Sequence, residues 1–135
     1  MAGTPDIAAY RTEYQTHPHL WKAQQFFLGA ETLRKRRYFD CAASRYYYAT
    51  VQVAEHFVGR GPPSGGYWKH AELMGHYANN FDRQAYIAMG DAYKQRSDAD
   101  YAPARVSQVK LGLIVDPVAC MIHRAFQEAG VARDN

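Results

Sequence analysis

The chain has 135 residues, of which 47% are hydrophobic, and a formal net charge of +3. This length supports one cooperative core but not two ordinary domains, and the mildly basic balance permits contact with nucleic acid without requiring it. The longest apolar stretch, residues 111–122, is interrupted by Asp116 and Pro117 and is too short to span a bilayer, so we expect no membrane contact.

Helical periodicity dominates the chain, and no stretch alternates as a half-buried strand would. Residues 1–16 are polar and are predicted to form a partly ordered arm, followed by one helical domain over residues 17–130. The first helix is predicted over residues 19–36, where a run of basic residues closes the last turn. The second helix is predicted to end near Val58, with Asp40 as its N-cap.

A loop rich in glycine and proline at residues 59–66 separates these helices from a short third helix at residues 69–79. A fourth helix is predicted over residues 82–100. Ser107 is predicted to cap a last helix that reaches residue 129, with Pro117 either kinking it or starting a new helix after Asp116; the continuous apolar stripe favours the kink. The predicted fold is all-α, an antiparallel up-and-down bundle of four long helices and one short helix.

The predicted second helix has two faces when it is projected at 100° per residue. Tyr46 lies on the apolar face, and we interpret Tyr46 and Tyr47 as core residues whose hydroxyls reach polar partners. Arg45 and Tyr48 lie on the polar face. Tyr48 is therefore the better candidate for a ligand or partner surface.

The predicted fourth helix places Arg96 on the same stripe as the apolar residues Ala85, Met89 and Ala92, and Asp100 follows one turn later. Arg96 should therefore point inward or toward a partner with a carboxylate beside it. An internal ion pair and a functional contact both fit this pattern, because arginine is suited to either.

Two segments together resemble the HEPN (higher eukaryotes and prokaryotes nucleotide-binding) domain. They are Ala-x-Ser-Arg-x-Tyr-Tyr-Ala at residues 42–49 and Arg-x-x-Ala-Asp-Tyr at residues 96–101, with His70 between them. The similarity covers residues 21–126. It implies a helical bundle that forms a homodimer, in prokaryotic toxin–antitoxin, stress or defence systems, commonly beside a small nucleotidyltransferase partner.

The resemblance also bears on catalysis, because many HEPN proteins are similar to metal-independent endoribonucleases that pair an arginine with a histidine. Arg96 matches that arginine, but Tyr101 stands where the histidine would be, and a tyrosine with a pKa near 10 is a poor general base at neutral pH. The resemblance therefore favours a non-catalytic module that binds a nucleotide, RNA or a protein partner. Its predicted ligand or interface residues are Arg45, Tyr48, Arg96, Asp100 and Tyr101.

The alternative function is a metal-independent endoribonuclease toxin with Arg96, Tyr101 and Asp98 as catalytic candidates. A variant of either function is regulation by nucleotidyl transfer to the Tyr101 hydroxyl. His70 matches a histidine often seen in the family and is interpreted as a residue that caps or supports the third helix.

Neither the cysteines nor the histidines predict a metal site or a redox motif. Cys41 and Cys120 lack CxxC or zinc-ligand spacing, and no secretory leader precedes them, so a reduced cytoplasmic compartment is expected. The six histidines never recur three or four residues apart, as ligands on one helix would. Since there is also no Gly-rich phosphate loop, we expect no metal and no cofactor.

Overall fold

The computed structural model describes residues 3–59, 61–62, 65–101 and 105–134. In this part of the chain the fold is all-α, as predicted: a bundle of four long helices and one short helix, preceded by a 3-10 turn at Ile7–Ala9. The helices are α1 (Pro18–Lys35), α2 (Phe39–Val58), α3 (His70–Asn80), α4 (Ala85–Tyr101) and α5 (Gln108–Glu128). No described helix combines the length and the apolar character that crossing a membrane requires.

Helix α2 lies at the centre of the bundle and packs against all four other helices. Its core face carries small residues at Ala42, Ala49 and Ala54, which let neighbouring helices approach closely, and the larger Tyr46 and Val53. All five residues are fully buried. The predicted apolar face of this helix is therefore confirmed.

Two helix starts that the sequence analysis assigned to an aspartate differ from the structure. Asp40 lies in the first turn of α2 and does not cap it; its carboxylate accepts a hydrogen bond from the Val106 N–H at 2.8 Å. Asp82 lies before α4 and accepts from the N–H groups of Gln84 and Ala85 at 3.1 and 3.3 Å. Helix α4 therefore begins at Ala85 rather than at Asp82.

The last helix, α5, is continuous through Pro117 and does not restart at Asp116. The predicted N-cap is confirmed, because the Ser107 hydroxyl accepts a hydrogen bond from the Lys110 N–H at 3.1 Å. The Leu113 carbonyl, four residues before the proline, belongs to an exposed residue, where water can replace the missing N–H donor.

The described part of the N-terminal arm packs against the main core. Ile7 and Tyr10 are buried in the main core, and the Gln24 side chain donates to both of their carbonyls at 2.9 and 2.7 Å. Arg11 also donates its N–H to the Ala132 carbonyl at 2.8 Å. Ile7 lies in a turn of three residues and Tyr10 follows it. Two such side chains produce no helical period, which is why the sequence pattern did not reveal them.

Candidate functional site

Helix α2 directs Tyr47 toward α3 and α4, and Tyr48 toward α1 and α4. The Tyr47 ring is buried, whereas Tyr48 is 36% exposed. The two rings lie 5.8 Å apart between centroids, and the Tyr48 ring is the same distance from the Phe26 ring on α1. The tyrosines therefore form the edge of an aromatic surface rather than isolated core contacts.

Arg96 reaches these rings from α4. The three residues before it on the same stripe, Ala85, Met89 and Ala92, are fully buried, so the stripe directs the guanidinium toward α2. Its central carbon lies 5.8 Å from the Tyr47 ring centroid and 5.9 Å from that of Tyr48. Both distances are within the range of cation–π attraction.

Asp100 pairs with Arg96 one turn further along α4. The Arg96 Nε atom lies 2.9 Å from an Asp100 carboxylate oxygen, and both side chains remain partly exposed. The Ser44 hydroxyl on α2 donates to the other Asp100 oxygen at 3.4 Å. This contact ties the end of α4 to α2, and it leaves the ion pair at the surface where solvent screens it.

His70, the first residue of α3, completes the site together with Tyr93 of α4. Its imidazole stacks on the Tyr93 ring with centroids 3.8 Å apart and planes 12° from parallel. His70 Nδ1 and the Tyr47 hydroxyl share a hydrogen bond of 3.1 Å. Tyr93 is 37% exposed, so this stack lies at the protein surface.

Burial keeps both groups of this hydrogen bond uncharged near neutral pH. Desolvation raises the pKa of Tyr47 to about 12, although the nearby Arg96 charge acts in the opposite direction. Desolvation also lowers the pKa of His70 below its ordinary value. A neutral imidazole and a neutral phenol therefore lie beside a permanently charged guanidinium.

We call this group of side chains the Arg96 cluster. It combines one arginine with three tyrosine or histidine rings that contact each other, a further partly exposed tyrosine, a carboxylate that pairs with the arginine, and a hydroxyl that donates to that carboxylate. Its members are Ser44, Tyr47, Tyr48, His70, Tyr93, Arg96 and Asp100. Chemically, it offers a cation for an anionic group and flat rings for a planar group.

The structure brings most of the predicted site residues together. Tyr48, Arg96 and Asp100 belong to the Arg96 cluster, and Arg45 adjoins it because its guanidinium lies 5.9 Å from the Phe26 ring that Tyr48 contacts. Tyr101 is the last residue of α4, and its side chain lies outside the described residues.

Asp98 does not join the cluster. It follows Arg96 by two positions, which at 100° per residue places it on the opposite side of α4. It forms no hydrogen bond or ion pair with any other residue that the structure describes.

Sequence reasoning missed the roles of Tyr47, His70 and Tyr93 in this site. Tyr93 lies three positions before Arg96 and so on the same face of α4, which is a signal that the sequence contained. Tyr47 was interpreted as core filling, and the core part of that interpretation agrees with its burial. The position of His70 depends on how α3 packs against α2 and α4, which no local pattern encodes.

The described residues contain no group of three or more His, Cys, Asp and Glu side chains that could hold a metal ion. The histidines that do approach each other, His17 and His56, have ring centroids 5.6 Å apart at the far end of α2. His19, near them, contacts Gln52 through Nδ1 at 2.8 Å. These contacts fasten α1 to α2.

The comparisons with known proteins give no family. No protein-family model matches the chain, and no curated protein shows significant similarity to it.

Proposed function

We propose that this protein is a HEPN-like, non-catalytic module that binds a nucleotide or single-stranded RNA at the Arg96 cluster. The observation that carries the proposal is the position of the Arg96 guanidinium against the rings of Tyr47 and Tyr48, with the stacked pair of His70 and Tyr93 beside it. Arginine supplies forked hydrogen bonds to phosphate, and half-exposed aromatic rings supply stacking faces for bases.

The exposure of the rings supports binding rather than a purely structural role. Tyr48 and Tyr93 each keep about a third of their surface in solvent. Base stacking on such rings contributes about 1–3 kcal/mol per base and tolerates any base. The cluster therefore fits a ligand recognised by its phosphate and its planar base rather than by its sequence.

The test of this function is a titration of the protein with AMP by calorimetry, comparing wild type with Arg96→Ala. A charged hydrogen bond contributes about 1.5–3 kcal/mol, so we expect the dissociation constant to rise at least about tenfold. The matched control is Arg83→Ala, an exposed arginine just before α4 and far from the cluster. Wild type that binds no AMP, or equal weakening in both variants, would contradict the proposal.

A second candidate function, metal-independent RNA cleavage, is favoured by one specific observation. His70 of α3 and Arg96 of α4 both contact the ring of Tyr47. A neutral imidazole can exchange a proton with a ribose 2′-hydroxyl, and a guanidinium can stabilise the charge that develops on the phosphate. In this alternative His70 does the work assigned from the sequence to Tyr101.

Cleavage is tested with single-stranded RNA in the presence of a chelator. The cleavage hypothesis expects activity in wild type and its loss in His70→Ala and Arg96→Ala. His76→Ala, an exposed histidine on the same helix, is the control that should keep full activity. Intact RNA after incubation with wild type rules the hypothesis out and leaves the binding function.

We also propose that the protein forms a homodimer and acts with a small nucleotidyltransferase partner in a prokaryotic toxin–antitoxin or stress system. One feature supports an interface between protein chains: Val109 and Leu113 are 77% and 70% exposed one turn apart on α5. Light scattering should give a dimer for wild type and a monomer for Leu113→Glu. A monomeric wild type contradicts the dimer.

A further inference from the structure

We infer that the ligand is a single-stranded oligonucleotide whose backbone runs from the Arg96 cluster into a second, basic cleft at the turn between α1 and α2. This inference rests on the proposed binding function and narrows its ligand class. The cleft has a volume of about 400 Å³ and is lined by residues 37–41, which run from that turn into the start of α2, and by Arg105 and Val106 before α5.

The cleft is rich in cations that have no acidic partner among the described residues. Arg37 and Arg105 line it and are exposed, and Lys35 and Arg36 adjoin it, whereas Arg34 is paired with Glu31. Arginines without an ion-pair partner on a concave surface attract phosphate groups, because their charge and their N–H donors remain available. Asp40 also lines the cleft, but one of its oxygens is already bonded to the Val106 N–H.

Two further features of the cleft suit a nucleic-acid strand. Arg37 has a φ of 66°, a left-handed backbone conformation that is unusual for arginine and lies in the turn between α1 and α2. Tyr38 is exposed, and the Arg37 guanidinium lies 5.5 Å from the Phe39 ring. The cleft therefore repeats the combination of arginine and aromatic ring that defines the Arg96 cluster.

The cleft and the cluster adjoin each other along α2. Asp40 at the cleft and Ser44 at the cluster are one helical turn apart, and each is hydrogen-bonded to the segment that follows Arg96. Asp40 and Tyr47 are seven residues apart, or about 10 Å along the helix axis. A mononucleotide held at the cluster leaves the cleft empty, whereas a strand of a few nucleotides reaches both.

The test compares the affinities for AMP and for a single-stranded RNA of about six nucleotides, with DNA of the same sequence as a second arm. Wild type should bind the RNA at least about tenfold more tightly than AMP. The variant carries Arg37→Asn and Arg105→Ala, where asparagine is chosen because it tolerates a positive φ. It should lose most of that difference while its affinity for AMP stays unchanged.

Salt dependence provides a second readout in the same experiment. Two lost phosphate contacts should reduce the slope of log K against log salt by about 1.4 for the oligonucleotide. The control carries Arg83→Ala and Arg133→Ala, which remove the same charge from exposed positions elsewhere, and it should keep the wild-type slope. The DNA arm shows whether the 2′-hydroxyl contributes to recognition.

The outcomes separate this inference from the proposed function. If wild type binds AMP and the oligonucleotide equally well, the second cleft is overturned and nucleotide binding stands. If wild type binds neither, both fail. If a glutamate-rich peptide binds as tightly as the RNA and loses affinity in the same variant, the cleft recognises an acidic protein partner and the inference is overturned.

Discussion

Two adjacent tyrosines of α2, Tyr46 and Tyr47, each lie beside an arginine and a carboxylate. The first of these sets is closed by hydrogen bonds, and the second is not. The Tyr46 hydroxyl accepts a hydrogen bond from Arg34 Nε at 3.0 Å and donates to the Glu31 carboxylate, and Arg34 also pairs with Glu31 at 3.0 Å. Tyr46 itself is fully buried. Each polar group in this set satisfies another, so the set fastens α1 to α2.

The neighbouring set of Tyr47, Arg96 and Asp100 is built differently. Arg96 contacts Asp100 at the surface and lies against the face of the Tyr47 ring, while the Tyr47 hydroxyl bonds to His70 instead. Its arginine is thus held by ring faces and one carboxylate, and the difference from the first set lies in the bonding of the hydroxyl, because the two ion pairs are similarly exposed. Arginine, tyrosine and carboxylate form a closed structural clamp when the hydroxyl joins the ion pair, and an open surface when it does not.

The largest expected difference between the two surfaces is the loss of stability when a tyrosine is truncated. Tyr46→Ala removes a fully buried ring and leaves Glu31 and Arg34 around a cavity, so we expect a loss of about 3–5 kcal/mol in the free energy of unfolding. Tyr48→Ala, at the open surface, should cost about 1 kcal/mol. Urea denaturation followed by far-UV circular dichroism measures both. Equal losses would show that the two surfaces do not differ as described.

The pH dependence of stability sharpens the same contrast, because the closed clamp lacks a histidine and the open cluster contains one. Burial lowers the pKa of His70 in the folded protein, and it does the same for His56 and His123. The unfolded chain therefore binds more protons at acidic pH than the folded protein does. The free energy of unfolding should have its full contribution from these histidines above about pH 6.5 and should decrease as the pH falls below that value.

His70→Gln should make this decrease smaller between pH 7.5 and 5.5, because one of the shifted groups is removed. Unfolding curves at the two pH values give the comparison, with His76→Gln as a control on the same helix. A variant that loses as much stability as wild type over this range would mean that His70 is not desolvated by the cluster.

The same contrast shows how far the sequence could predict the site. The period of 3.6 residues placed Tyr46 in the core and Tyr48 on the polar face, and both positions are confirmed. Tyr47 lies between the two faces, so its environment depends on which helices pack there. Its partner His70 comes from α3 across a loop that the sequence shows only as a break.

Arg96 shows both what the spacing of residues could predict about the site and what it could not. Its position on an apolar stripe of α4 and its pairing with Asp100 followed from spacing alone, and the structure contains that ion pair. Spacing could not show that two tyrosine rings would receive the guanidinium, because that contact joins residues about fifty positions apart. Local sequence patterns predict which face of a helix is buried, whereas the site depends on how the faces of different helices pack against each other.

The smallest expected effect concerns the affinity for AMP, and it distinguishes two of the three aspartates of α4, Asp100 and Asp98. Asp100→Asn removes the charge that competes with an anionic ligand for Arg96 but keeps a side chain of the same size. Since an exposed pair contributes about 0.2–1 kcal/mol, the affinity for AMP should increase by no more than about fivefold. Asp98→Asn changes the net charge equally on the opposite side of α4 and should alter the affinity less. An equal increase in both variants would mean that only net charge matters, and a decrease in Asp100→Asn would mean that the carboxylate positions Arg96 rather than competes for it.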